Sequence, residues 1–141
     1  MISSREALDL TAIPDSLLIV GGGVEGCEFA SLFGTLGTKV TVVEMLPRIL
    51  PGEDEEVSAL LAAELKKQDV TVLAGTKVDK VTVGPESVTT TLATGVAVTT
   101  ANVLVSVGRR FNTAGLGLES AGVALGRRGE ILVNERMETN I

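Results

Sequence analysis

The chain has 141 residues, of which 45% are hydrophobic, and its formal net charge at pH 7 is −6. This length suits one domain that buries roughly two thirds of its unfolded surface, and the hydrophobic fraction excludes a disordered chain. The negative charge disfavours nucleic acid as a partner, the apolar runs are too short for a membrane span, and the absence of histidine excludes imidazole catalysis and histidine-ligated metals.

Residues 1–15 form a lead-in segment that ends at Pro14-Asp15, and we expect a helical turn near Arg5 to Leu8. The first four residues lack the basic, apolar and small-residue order of an export signal, so we expect a cytoplasmic protein. Residues 16–141 are predicted to form one domain.

A strand, a glycine loop and a helix come next in the sequence. Leu17 to Val20 is a continuous apolar run, which is typical of a strand buried on both faces. Helical spacing of apolar residues from Val24 to Leu36 predicts a helix, and Gly37 is placed to end it. The predicted buried stripe of this helix consists of Cys27, Ala30, Phe33 and Leu36.

The same pattern then repeats. Lys39 to Glu44 is predicted to be a strand, Glu53 to about Gln68 a helix with an acidic first turn, and Val70 to Leu73 a third strand. The predicted buried stripe of the second helix is Val57, Leu60, Leu61 and Leu65. Alternating strands and helices indicate a parallel sheet with right-handed crossovers.

From Lys77 the chain is rich in Val and Thr, and Gly84-Pro85 and Thr94-Gly95 are hairpin signals. We therefore predict a three-stranded antiparallel excursion, after which Asn102 to Val107 rejoins the parallel sheet. The predicted fold class is α/β, a Rossmann-like parallel sheet with helices on both faces and this antiparallel excursion.

Three glycines between the first strand and the first helix form the motif Gly21-x-Gly23-x-x-Gly26. In a dinucleotide site the first glycine permits the tight turn, the second lets the backbone approach the pyrophosphate, and the third lets helix and strand pack closely. The pyrophosphate would lie on the N–H groups at the start of the helix. Alone the motif is a weak signal, because the chain has 16 glycines.

An acidic residue at the end of the second strand strengthens the motif. Glu44 follows Gly26 by 18 residues, near the spacing of about 20 found in dinucleotide-binding folds. A carboxylate there accepts hydrogen bonds from the adenosine ribose and repels a 2′-phosphate, and Met45 rather than an arginine follows it, so we expect NAD rather than NADP. A glycine turn with a solvated glutamate is the alternative.

Glu25 is unexpected in such a loop. In the first turn of a helix a carboxylate is favoured by the helix dipole, by roughly 0.3–1 kcal/mol, but the same field should attract the pyrophosphate. If Glu25 points outward it is an ordinary helix residue, which is the interpretation we prefer. If it points inward it competes with the ligand and weakens NAD affinity.

With these residues in place, the chain resembles the NAD-binding domain of the class I pyridine nucleotide-disulfide oxidoreductases, with dihydrolipoamide dehydrogenases most similar. The resemblance covers nearly the whole chain. It rests on three segments, IVGGGVEGCEFASLFGTLGTKVTVVE, LPRILPGEDEEV and VLVSVGRRFNTAGLGLESAGV, with a trailing ILVNERMETNI.

The resemblance implies roles for individual residues. The three motif glycines would hold the pyrophosphate and Glu44 the adenosine ribose. Val78, after Lys77, would cover the adenine, Gly108 would approach the nicotinamide, and Glu28 would lie beside the nicotinamide and pair with a lysine of a segment not present here. The implied cofactor-binding set is Gly21, Gly23, Val24, Glu25, Gly26, Glu28, Glu44, Met45, Val78 and Gly108.

Three residues depart from the family pattern. Glu25 replaces an isoleucine, Val24 replaces a tyrosine found in many members, and Phe111 replaces a proline after two arginines. The family's FAD segments, redox cysteine pair and interface domain are absent from the chain. Cys27 is predicted to be a core residue rather than the redox thiol.

The resemblance therefore implies an excised NAD(H)-binding domain, inactive alone and without catalytic residues of its own. FAD would belong only to the parent enzyme, which would be a homodimer and a component of 2-oxo acid dehydrogenase complexes. Other parents, such as a mercuric reductase or an NADH oxidase, are alternatives. So are a nucleotide-sensing Rossmann module and a fold that has lost its ligand through Glu25.

Overall fold

The computed structural model describes all residues from Met1 to Ile141, and they form two compact units, Met1–Val107 and Gly108–Ile141. The first unit contains every helix and strand. The second consists of turns with one isolated antiparallel bridge between Leu125 and Ile131. None of the helices combines the length and the apolar character that a membrane span requires. The boundaries of the domain at residues 16 and 141 stay a prediction.

The three helices are α1 (Ser4–Leu8), α2 (Val24–Thr35) and α3 (Glu55–Lys67). The expected helical turn in the lead-in segment is α1. At the end of α2, Gly37 has φ +89° and its N–H donates to Gly34, while the Thr38 N–H donates to Phe33. This pair of bonds is a Schellman motif, so the predicted glycine stop is confirmed.

The parallel sheet consists of β1 (Ser16–Val20), β2 (Lys39–Val43), β3 (Thr71–Leu73) and β7 (Asn102–Val105), in the order β3-β2-β1-β7. All three pairings are parallel. A separate antiparallel sheet consists of β4 (Val78–Val83), β5 (Val88–Leu92) and β6 (Ala97–Thr100). The predicted α/β class, the parallel sheet and the three-stranded excursion are thus confirmed.

The two faces of the parallel sheet are covered differently, which corrects the expectation of helices on both. Buried residues of all three helices share one core with Leu17 and Ile19 of β1. Leu18 belongs to the other core, with Val88 and Leu92 of the antiparallel sheet. The right-handed crossovers through α2 and α3 run in one direction along the sheet, so both helices lie on the same face. The return to β7 runs through the antiparallel strands, which cover the opposite face.

Two details of the helix stripes were also wrong. Leu36 is exposed, because it is the C-cap of α2 and lies where the chain leaves the helix. In α3 the buried residues are Ser58 and Leu65, whereas Val57 and Leu60 are exposed. Leu61 and Leu65 of the predicted stripe do pack in the core, but Ser58 is buried beside them instead of Val57 and Leu60, because its hydroxyl donates to the Ile49 carbonyl.

Candidate functional site

The glycine loop leaves the carboxyl end of β1 between the ends of its two neighbours. The Gly21 N–H donates to the Val43 carbonyl at 2.8 Å, at the end of β2. Gly21 has φ +108°, and a Cβ there would lie 2.2 Å from the Ser106 carbonyl oxygen, just beyond β7. Only glycine fits this turn. Since the strand order reverses between β1 and β7, the loop lies where open α/β sheets bind ligands.

The other two motif glycines have opposite surroundings. A Cβ on Gly26 would lie 2.0 Å from the Gly21 carbonyl oxygen, so this glycine lets the first turn of α2 lie against the loop. A Cβ on Gly23 would meet no atom within 4 Å. Gly23 is the N-cap of α2, and no side chain caps the helix. The open space beside this uncapped helix end fits a pyrophosphate, because N–H groups of a first turn lack intrahelical partners.

Glu44 lies directly after β2 and is held against the loop. Its Oε2 accepts a hydrogen bond from the Gly22 N–H at 2.6 Å, and its Oε1 accepts one from the Leu46 N–H at 2.8 Å. Glu44 is 8% exposed. The alternative of a solvated strand-end glutamate is therefore wrong. Each carboxylate oxygen can accept a second bond, so a fixed acceptor remains beside the glycine loop.

Met45 and Val78 have different surroundings. The Met45 side chain is exposed next to Glu44. The Thr76 N–H donates to the Glu44 carbonyl at 2.8 Å, which brings the start of β4 beside this segment. Val78 is half-buried and packs in the core beneath the antiparallel sheet. Its role against an adenine ring stays a prediction.

Three predicted residues lie in the first two turns of α2. Val24 and Glu28 are exposed, and Glu25 is half-buried. They follow the loop directly, so all three lie near the helix end that would receive the ligand. The effect of Glu25 on affinity and the role of Glu28 stay predictions.

Cys27 is buried, as expected of a core residue, and its thiol donates to the Gly22 carbonyl at 3.4 Å. Burial, followed by the negative charges of Glu44 and Glu28, raises the pKa of Cys27 to about 11. The thiol is therefore protonated at neutral pH and can act as the donor. Such a thiol is a poor nucleophile, because the thiolate is the reactive form.

Gly108 is the first residue of the second unit and has φ +126°, a conformation that favours glycine. Its approach to the nicotinamide stays a prediction. Within the same unit the Arg128 guanidinium lies 5.6 Å from the ring centre of Phe111. Phe111 thus packs within its own unit through a cation–π contact.

Sequence reasoning missed Gly22 and the residues around it. Gly22 is buried, and a Cβ there would lie 2.8 Å from Ile49 Cγ2 and 3.0 Å from Glu44 Cβ. Three consecutive glycines were a signal that the middle position also needs glycine. No local pattern indicated that Leu50 and Ser58 contribute to the same arrangement.

Comparison with known proteins agrees with this geometry. The family model described as pyridine nucleotide-disulphide oxidoreductase matches residues 1–141. The chain is 42% identical to the dihydrolipoyl dehydrogenase of Chlamydia pneumoniae over 141 residues, and 40% identical to a soluble pyridine nucleotide transhydrogenase of Mycobacterium tuberculosis. Each match covers 100% of this chain and 30% of the relative, so the chain spans under a third of their length.

The chain also superposes on solved structures of similar proteins. The flavoprotein disulfide reductase RclA of Escherichia coli superposes with a TM-score of 0.88 at 32% identity, covering 99% of this chain and 32% of that one. LpdA of Mycobacterium tuberculosis superposes with a TM-score of 0.86 at 34% identity, covering 99% of this chain and 30% of that one.

Proposed function

Since the chain belongs to the pyridine nucleotide-disulphide oxidoreductase family, we propose that it binds NAD(H) as the nucleotide domain of an enzyme resembling dihydrolipoyl dehydrogenase. The observation that carries this proposal is the Glu44 carboxylate, which is buried and held by the Gly22 and Leu46 N–H groups beside the glycine loop. A fixed acceptor in this position suits a ribose diol.

Different residues of the chain would bind different parts of the nucleotide. The N-terminal end of α2 would take the pyrophosphate over Gly23, where there is room for it. Glu44 would accept a hydrogen bond from the adenosine ribose, and its buried negative charge would repel a 2′-phosphate. A bound nicotinamide nucleotide supplies hydride transfer. By resemblance, Glu28 and Gly108 would help to orient the nicotinamide.

For the whole enzyme, the proposal is oxidation of dihydrolipoamide with NAD⁺ through a disulfide and FAD. The single dinucleotide loop of this chain is assigned to NAD(H), so FAD would be held by segments outside it. The proposal includes a homodimeric parent, membership of a 2-oxo acid dehydrogenase complex, a cytoplasmic location, and no turnover by the 141-residue chain alone.

A second candidate is the nucleotide domain of another flavin reductase. The observation that favours it is the 40% identity to a protein named soluble pyridine nucleotide transhydrogenase, nearly equal to the 42% identity to a dihydrolipoyl dehydrogenase. A mercuric reductase and an NADH oxidase stay alternatives from the sequence. This domain alone separates such parents poorly, because substrate contacts would lie outside it.

The test is calorimetric titration of the chain with NADH and, separately, with NADPH. We expect binding with a clear preference for NADH. Equal affinity for the two nucleotides, or a preference for NADPH, would contradict the role of Glu44. If neither nucleotide binds, a Glu25→Ile variant separates two explanations: restored binding identifies Glu25 as the obstacle, and continued failure contradicts NAD(H) binding by this chain alone.

A turnover assay tests the proposal that the chain alone is inactive. Mixed with dihydrolipoamide and NAD⁺, the chain should produce no NADH absorbance, since it has no redox cysteine pair. Steady turnover would contradict the proposal that the chemistry needs further segments.

A further inference from the structure

The turn at Leu50 has an unusual backbone conformation. Leu50 has φ +46°, in the left-handed region that bulky residues rarely adopt. Its N–H donates to the Gly22 carbonyl at 2.7 Å. A bulky residue in this conformation is strained, and it persists only where its surroundings hold it in place. The left-handed conformation at Leu50 therefore directs its N–H toward the glycine loop, where it forms this hydrogen bond.

Ser58 of α3 holds this turn from the other side. Its Oγ donates to the Ile49 carbonyl at 2.6 Å, and the serine is 2% exposed. The Glu53 N–H donates to the Leu50 carbonyl at 2.9 Å. The carbonyls on both sides of the Leu50 N–H are thus bonded, and the buried Ile49 side chain fixes the turn in the core.

Gly22 is consequently held on two sides. Its N–H is bound to Glu44 and its carbonyl to the Leu50 N–H, and Ile49 is so close that a Cβ on Gly22 would lie 2.8 Å from Ile49 Cγ2. Gly22 directly precedes Gly23, the N-cap over which the pyrophosphate would lie. A shift of the turn at Leu50 would therefore move both the N-cap and the partner of Glu44.

We propose that Ser58 is a positioning residue for the dinucleotide site. Through the Ile49 carbonyl it maintains the left-handed turn at Leu50, and the Leu50 N–H in turn holds the glycine loop in its binding conformation. Ser58 touches no ligand in this scheme. The inference rests on the proposed NAD(H) site and adds that a side chain of α3 contributes to its affinity.

The role of Ser58 can be tested by removing its hydroxyl, and Thr38 offers a matched control. Thr38 is buried and its hydroxyl donates to the Pro14 carbonyl at 2.8 Å, so it makes the same kind of bond as Ser58. Thr38 precedes β2 and lies at the amino ends of the parallel strands, whereas the glycine loop lies at their carboxyl ends. The variants Ser58→Ala and Thr38→Val each remove one such bond. Alanine is a better helix former than serine, so α3 is kept in the first variant.

We expect both variants to lower the melting temperature, and only Ser58→Ala to weaken NADH binding, by about fivefold as for the net loss of one hydrogen bond. Affinity is measured by calorimetry well below both melting temperatures. Unchanged affinity in Ser58→Ala, or an equal loss in Thr38→Val, would overturn the proposal.

A second measurement needs no ligand. Backbone amide exchange by NMR is followed at Gly22 and Leu50, relative to the fully buried Ile19 of β1. In Ser58→Ala we expect the two loop amides to exchange about tenfold faster relative to Ile19, because the loop opens locally, and in Thr38→Val we expect no relative change. Unchanged relative exchange in Ser58→Ala would overturn the positioning role of Ser58, whether or not the chain binds NADH. Failure of the wild-type chain to bind NADH would instead contradict the proposed function.

Discussion

Two glycines of the motif, three residues apart, should respond to alanine in opposite ways. Gly26→Ala would place a Cβ 2.0 Å from the Gly21 carbonyl oxygen, so helix and loop would have to separate by more than an ångström. Gly23→Ala would place a Cβ in open space, at φ −72° and ψ −175°, a conformation that alanine adopts readily. The first change should disturb the fold, and the second only the ligand.

The magnitudes follow from these contacts. Overpacking against backbone costs about 3 kcal/mol, and the better helix propensity of alanine returns about 1 kcal/mol, so Gly26→Ala should lose about 2 kcal/mol of unfolding free energy. This corresponds to a melting temperature lower by roughly 8 °C. For Gly23→Ala, the weaker N-cap and the reduced entropy of the unfolded chain nearly cancel, within about 0.5 kcal/mol.

Thermal denaturation and NADH titration of both variants test this reasoning. Gly23→Ala should melt like the wild type but bind NADH about tenfold more weakly, a loss of about 1.4 kcal/mol, because its methyl group would lie where the pyrophosphate approaches. If it bound NADH with wild-type affinity, the pyrophosphate would not lie over Gly23. Wild-type stability in Gly26→Ala would refute the close packing of α2 against the loop.

Three further predictions concern the carboxylate, the thiol and the corrected helix face. Glu44→Gln should lose about 1–3 kcal/mol of stability in melting experiments, because one buried N–H loses its acceptor. In titrations its preference for NADH over NADPH should also fall. The control Glu86→Gln, at an exposed position, should change neither the stability nor the nucleotide preference. Because folding raises the pKa of Cys27 from 9.0 to about 11, its thiol stabilises the fold fully below pH 9 and loses this contribution as the pH rises through 11; denaturant titrations should show this loss, and a Cys27→Ala variant should lack it. Leu65→Ala should cost about 2–5 kcal/mol and Leu60→Ala less than about 0.5 kcal/mol, since these side chains are 1% and 64% exposed; equal costs would contradict the assigned face of α3.

Local patterns in the sequence were sufficient for the order of elements and for the glycine loop. The apolar run of β1, the glycine stop at Gly37 and the hairpin signals each reflect a backbone requirement that few residue types meet, so they can be recognised without knowledge of the fold. The alternation of strands with crossover helices then makes the sheet parallel. The spacing from Gly26 to Glu44 also identified the carboxylate, because strand and helix lengths in such a unit vary little.

Contacts between distant segments were decided only by the tertiary structure. Apolar spacing favoured Val57 for the buried face of α3, but Ser58 is buried instead, because its hydroxyl satisfies the Ile49 carbonyl. Periodicity cannot detect this, since it scores side chains by polarity rather than by partner. The helix-free face of the sheet escaped prediction for a similar reason: the length of the excursion was visible, but not the side on which it packs.

The candidate site shows the same division. The sequence alone determined that Gly21 and Gly23 precede a helix, that Gly26 lies in its first turn, and that a carboxylate follows the next strand. Only the tertiary structure joined Glu44 to Gly22 and Leu50 to the same residue, across separations of 22 and 28 positions. Such pairings depend on how the carboxyl ends of neighbouring strands meet and on a left-handed turn that no local propensity favours, so the geometry of the site is a property of the packed fold.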